Sequence, residues 1–242
     1  MNINQELKIA DVVSDNIKTA DIFKKYGIDF CCGGGISIAR ACERKNINLE
    51  VLLDELNQSS SNSSPSQDHK KWSLDFLADY IINTHHKYVL EAFDILDHYA
   101  NKVVKVHGEN HPPLKEIVPL YMAIKQELLH HMLKEEQILF PYIKNLVAAK
   151  KENRPALPPH FGKVENPIHM MQLEHENAGE IFRQISILTQ QYTPPVWACN
   201  TFIAFYSKLD EFERDLHLHV HLENNILFPK TIQLENELQT FN

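Results

Sequence analysis

The sequence predicts an all-α protein: an antiparallel four-helix bundle preceded by a small helical N-terminal domain. Three observations carry this. Glycine is scarce, at 7 of 242 residues. Apolar residues recur at three- and four-residue spacing along four long stretches, the period of a helix with one buried face. Short breaks rich in proline separate those stretches, so successive helices turn back on one another.

Composition narrows the function classes. Hydrophobic residues make up 43% of the chain, enough for a real core, and the net charge of −8 argues against a general nucleic-acid binder. No apolar run approaches the length of a membrane span, and the opening residues lack a basic start followed by an apolar stretch, so neither a membrane helix nor a signal peptide is expected. Four cysteines do not make a disulfide framework at this size, and a cytoplasmic setting is the simplest expectation.

The first domain is expected over residues 1–57. Ile17 to Tyr26 reads as a short helix stopped by Gly27. The run Asp29-Phe30-Cys31-Cys32-Gly33-Gly34-Gly35 comes next, then a helix from Ser37 to Lys45 and one capped by Asn48 and running through Leu56. Residues 58–68 are polar and Ser-rich and read as a linker. The bundle is expected over 69–242. Its helices span about Ser73 to Lys105, Leu114 to Ala149 with Pro141 as a candidate kink, Pro167 to Gln190, and Val196 to Leu234.

Within the bundle one segment occurs twice. HMLKEEQILFP, from His131, returns as HVHLENNILFP, from His219. In each copy a His precedes a Glu by four residues, about 6 Å of helical rise, so the pair shares one face. The predicted core stripes are Ile124, Leu128, His131, Glu135, Ile138, Tyr142 on the second helix and Phe212, Leu216, His219, Glu223, Ile226 on the fourth. The third carries Ile168, Met171, His175, Ala178, Phe182 and Ile185, and the first Ile82, His86, Val89, Phe93 and Leu96. Aligning the copies selects His131 over His130, and His219 over His217 and His221. His86 is preferred to His85 because it lies on the better apolar stripe. The remaining histidines (His69, His98, His107, His111, His160, His169) are read as solvated or loop residues.

An unpaired carboxylate in a bundle core costs several kcal/mol. Two of them, facing four imidazoles, need a shared cation. The competing explanation, an exposed His–Glu contact worth roughly a few tenths of a kcal/mol, does not account for the pair recurring in register inside apolar stripes. The expected ligand set is therefore His86, His131, Glu135, His175, His219 and Glu223. Imidazoles with bridging carboxylates suit two divalent transition-metal ions, expected to be two irons in a non-haem, oxo- or hydroxo-bridged centre. Ferritin-type sites use Glu-x-x-His and more carboxylates. The more neutral donor set here points to handling small gaseous ligands or electrons. Glu136 and Glu174 are read as surface residues or supports of the ligands.

These segments, HHMLKEEQILFP, LEHENAGE and LENNILFP, together with YGIDFCCGGG near the N-terminus, resemble the repair-of-iron-centres family of the YtfE/ScdA type, which joins an ScdA-type N-terminal domain to a hemerythrin-like di-iron bundle. The resemblance covers nearly the whole chain. It implies a non-haem di-iron protein, responding to nitric oxide and oxidative stress, that helps restore damaged iron–sulfur clusters. It places the family's ligand pattern on the same six residues. Damaged iron–sulfur proteins and small ligands such as nitric oxide or oxygen are the expected partners, with no nucleic acid and no membrane; the linker permits pairing of the two domains across a homodimer. Two alternatives stay open: an enzyme reducing nitric oxide to nitrous oxide, or an oxygen or iron sensor.

Cys31 and Cys32 are expected to be redox or iron-transfer thiols, with a nearby helix start lowering a thiol pKa. Cys42 is expected in a small core, and Cys199 buried rather than reactive.

Overall fold

A computed structural model describes residues 3–61 and 68–239 of the chain. Among them every regular element is helical, apart from a single bridge between Lys8 and Ser37. The linker expected at 58–68 falls mostly outside the described residues. None of the described helices is long and apolar enough to cross a membrane.

The N-terminal stretch holds α1 (Ile9–Asp15), α2 (Thr19–Lys25), α3 (Ile38–Lys45) and α4 (Leu49–Ser61). α1 is an addition to the sequence reading. The caps act as expected: Ser37 Oγ accepts from the Arg40 amide, and Asn48 Oδ1 accepts from the Glu50 and Val51 amides. Gly27 ends α2 at φ 64°, a left-handed angle that favours glycine. α4 runs five residues past the expected stop at Leu56. Asn57 lies within it, donating to the Leu53 carbonyl and exchanging hydrogen bonds with the Ile3 backbone.

A short 3₁₀ turn (His69–Lys71) leads into α5 (Leu74–Tyr80), a π-helical turn (Ile81–His86) and α6 (Lys87–His107). Then come α7 (Leu114–Lys134), a π turn (Glu135–Leu139), α8 (Phe140–Lys151), α9 (Glu165–Leu188), α10 (Asn200–Leu222), a π turn (Glu223–Leu227) and α11 (Phe228–Gln239). The fourth long helix starts at Asn200 rather than Val196, because a turn closed by the Ala198 amide on the Pro195 carbonyl precedes it.

Two of the three π turns correct the predicted stripes; on the fourth long helix Phe212, Leu216, His219, Glu223 and Ile226 are all buried as expected. Each π turn widens the helix by one residue and rotates the helix beyond it. After Glu135 the buried positions are therefore Leu139, Phe140 and Ile143, while Ile138 is 37% exposed. In the first long helix Ile81 is buried in place of Ile82. Two of the three π turns end just before Phe-Pro. A proline has no N–H to give the carbonyl four residues back, so the ordinary ladder is already broken there.

The chain forms two compact units, Met1–Ala78 with Ile143–His160 and His217–Asn242, and Asp79–Tyr142 with Phe161–Leu216. The first has a core that includes Ile9, Val13, Phe23, Ile38, Leu52 and Leu56, all fully buried. In it α1 packs against the π turn at Glu223–Leu227. The second is built on α6, α7 and α9. Phe93 and Phe182 each meet Phe212 with ring centroids 5.5 Å apart, and Tyr121 donates to Asp97 at 2.7 Å.

Candidate metal centre

Four of the six expected ligands lie in the second unit. His86 ends the first π turn, His131 sits near the end of α7, Glu135 opens the next π turn, and His175 is midway along α9. All four are buried. Glu135 Oε2 lies 3.3 Å from both His86 Nε2 and His131 Nε2. His131 Nε2 lies 3.0 Å from His175 Nε2. One ligand atom from each of His131, Glu135 and His175 falls within 4.8 Å of the others.

The outer edges of two rings are tied down. His86 Nδ1 meets Glu136 Oε1 at 2.7 Å, and His131 Nδ1 meets Glu174 Oε2 at 2.7 Å. A carboxylate on Nδ1 holds the N–H there and leaves the Nε2 lone pair aimed inward. The His131 imidazole, and then the Lys134 ammonium that also pairs with Glu174, hold the Glu174 carboxyl down at about 2. It therefore stays an acceptor through the mildly acidic range. Phe140 stacks on the His86 ring, with centroids 5.8 Å apart.

In the first unit His219 and Glu223 repeat the motif. Both are fully buried, with His219 Nε2 3.0 Å from Glu223 Oε1. The neighbouring His221 is buried as well, within reach of Ser14 Oγ at 3.1 Å and the Phe30 carbonyl at 3.4 Å. Burial holds its imidazole down at about 4, so it is neutral near pH 7.

The cysteine loop lies in the same unit. Asp29 Oδ1 accepts from the Cys31 and Cys32 amides at 2.9 and 3.0 Å, and Oδ2 accepts from the Gly33 amide at 2.8 Å. Gly34 is forced by packing: a Cβ there would stand 2.4 Å from the Phe30 carbonyl oxygen and 2.9 Å from Ala10 Cβ. Asn225 Nδ2 donates to the Cys31 carbonyl at 2.9 Å, and Asn224 Nδ2 approaches Cys32 Sγ at 3.7 Å. The thiols thus stand beside the turn that carries Glu223. The expected lowering of a thiol pKa is corrected for Cys31. Its sulfur is buried, and the neighbouring Cys32 thiol, burial and Asp29 push its pKa well up. The next helix begins only at Ile38, too far for its N-terminus to act.

Comparison with known proteins matches two families in order. Residues 5–60 match the ScdA N-terminal domain, described as a domain of unknown function (DUF542), and residues 77–231 match the hemerythrin HHE cation binding domain. The chain is 38% identical over 228 residues to the "Iron-sulfur cluster repair protein ScdA" of Staphylococcus haemolyticus, covering 94% of this chain and 99% of that one. It is 35% identical over 214 residues to the "Iron-sulfur cluster repair protein YtfE" of Yersinia pseudotuberculosis, covering 88% and 91%. The chain belongs to the ScdA/YtfE family. Its all-α hemerythrin-like fold rests on that membership together with the helices described above.

The buried donor set fits a bound cation. Imidazole Nε2 atoms pinned from behind, converging on an anionic carboxylate away from water, are what a transition-metal ion requires of its ligands. Other residues depart from the sequence reading. His69 is buried against Trp72, with ring centroids 4.5 Å apart, rather than solvated. His85, passed over as a ligand, is buried on Asp215 at 3.0 Å. Cys199 is exposed rather than buried, 3.3 Å from His107 Nε2, because α10 starts only after it. Cys42 is buried as expected.

Proposed function

We propose that this protein is a non-haem di-iron protein that repairs iron–sulfur clusters damaged by nitric oxide or oxidative stress, through iron delivery, nitric oxide removal or both. His86, His131, Glu135, His175, His219 and Glu223 would hold the two irons, His219 and Glu223 completing the set begun by the other four. The observation that carries this is Glu135, a buried carboxylate that meets two inward-facing imidazoles on one oxygen, in a segment repeated in register at Glu223. The relatives, named iron–sulfur cluster repair proteins, supply the substrate class.

Each residue has a definite task. Glu136 and Glu174 orient His86 and His131 so that Nε2 is presented as the donor. Glu135 and Glu223 supply negative charge where water is excluded. When bound, iron supplies an open coordination position for a small ligand and a redox couple. The N-terminal domain over 1–57, the linker over 58–68 and the bundle over 69–242 are the division proposed, with α4 carrying its helix four residues into that linker, to Ser61. A cytoplasmic location and damaged iron–sulfur proteins as clients belong to the same proposal.

Metal analysis with Mössbauer spectroscopy on protein purified without air is the test. Two irons per chain with one coupled signal are expected, together with rescue of a nitrosylated cluster enzyme. Glu135→Ala or Glu223→Ala should lose at least about half of the iron. Less than one iron per chain from iron-replete cells would end the reading.

A further inference from the structure

The segment of α8 from Val147 to Lys151 and the face of α11 from Lys230 to Glu237 line a groove of about 440 Å³. Trp72, Ser73 and Leu74 complete its lining. The lining residues of α11 are Lys230, Gln233, Leu234 and Glu237, spaced to share one helix face over two turns, about 10 Å. Val147, Lys150 and Lys151 share one face of α8 over one turn, about 6 Å. The groove is therefore long and lies between two helices, the shape that receives a third helix rather than a compact small molecule.

Its chemistry is layered. The floor is apolar, from Leu74, Leu234 and Val147, and one wall is the Trp72 indole. That wall continues outward: Phe76 meets Trp72 edge-on at 4.8 Å and is itself 54% exposed. The rim carries three ammonium groups, Lys150, Lys151 and Lys230, against one carboxylate, Glu237. Two of the three are held in place. Lys150 pairs with Glu237 at 2.7 Å, and Lys230 donates to the Lys70 carbonyl. A rim with net positive charge stands out on a chain whose net charge is −8. Exposed aromatic surface rimmed by like charge marks a recognition surface.

We propose that this groove docks an acidic amphipathic helix of a partner protein, its apolar side chains on Leu74, Leu234 and Trp72 and its carboxylates on the lysine rim. Charge complementarity decides the occupant: a basic segment would oppose the rim, and the acidic helix a second copy of this chain carries, α4, already has its apolar face buried on α2 and α3 through Leu52 and Leu56. None of the six proposed iron ligands lines the groove, so docking is independent of the metal reading.

The test uses the full-length chain carrying Trp197→Phe, which leaves Trp72 as the reporter of the two tryptophans. The probe is an unlabelled peptide of about 12 residues, a repeat of Glu-Glu-Leu-Phe, set beside its Lys-Lys-Leu-Phe counterpart and ATP. A saturable change in Trp72 emission with the acidic peptide is expected, weakened about tenfold by Lys151→Glu and about as much by raising salt to roughly 0.5 M. Iron-free and iron-loaded protein should bind alike, so that failure here is separate from failure of the metal proposal. The proposal is overturned by no saturable change, by equal binding of the acidic and basic peptides, by a Lys151→Glu variant that binds as well as the parent, by binding that depends on iron, or by binding of ATP without the peptide.

Discussion

The two copies of the His-x-x-x-Glu segment share a backbone and differ in what surrounds it. In each, a buried His and a buried Glu one turn apart lead into a π turn that closes before Phe-Pro. In the first copy the residues after the Glu face solvent: Glu136, Gln137 and Ile138 are exposed, and only Glu136 reaches back, to His86. In the second copy the equivalent positions are covered: Asn224 and Asn225 meet the cysteine loop, and Ile226 is 2% exposed where Ile138 is 37%. Position Leu133 of the first copy is exposed, while its equivalent, His221, is buried on Ser14 and Phe30. Local sequence repeats the metal-facing geometry; the outer face of each copy is set by what packs on it.

The comparison is broken most directly at the isoleucines. Ile226→Asp places a charge without a partner in a closed core and should cost about 4 kcal/mol, whereas Ile138→Asp should cost about 1 kcal/mol or less. Urea denaturation of the two variants reads the difference, and equal losses would mean that the copies are not differently packed. The asparagine anchor comes next. Asn225→Ala removes the hydrogen bond to the Cys31 carbonyl and should cost about 1–2 kcal/mol. It should also raise the alkylation rate of Cys31 roughly tenfold, as the loop opens more often. Gln137→Ala, the same position in the first copy, should stay within about 0.5 kcal/mol. Peptide mapping after timed alkylation measures this, and an unchanged Cys31 rate in Asn225→Ala would remove the anchor. The smallest effect is expected from Asn224→Ala. Its contact with Cys32 Sγ is long and weak, so the Cys31 alkylation rate should change less than about twofold. A rise equal to that of Asn225→Ala would show that the sulfur contact holds the loop as much as the backbone carbonyl does.

Much of this is legible in the sequence because helix period and repetition are local. The four long helices, the caps Ser37 and Asn48 and the stop at Gly27 can be read there, and so can the burial of the His and Glu residues chosen by aligning the copies. What escapes depends on non-local or main-chain effects. The π turns move the buried face from Ile138 to Leu139, since a periodic stripe assumes an unbroken 3.6-residue turn; the prolines of the two Leu-Phe-Pro runs are the available clue. The burial of His221 and His85 depends on Ser14 and Asp215, distant in sequence. The chemistry of Cys31 differs from expectation because a Gly-rich run suggests a helix start, and the structure places there a turn that buries the Cys31 side chain instead.

The arrangement of Asp29 has a consequence for the two sulfurs. Its carboxylate gathers three successive amides, so the shape of the turn is written in oxygen and nitrogen. Either sulfur can therefore be exchanged for serine while the main chain beneath it stays where it is, and Cys32, the half-buried one, can gain an adduct in place, whereas Cys31 must first be uncovered.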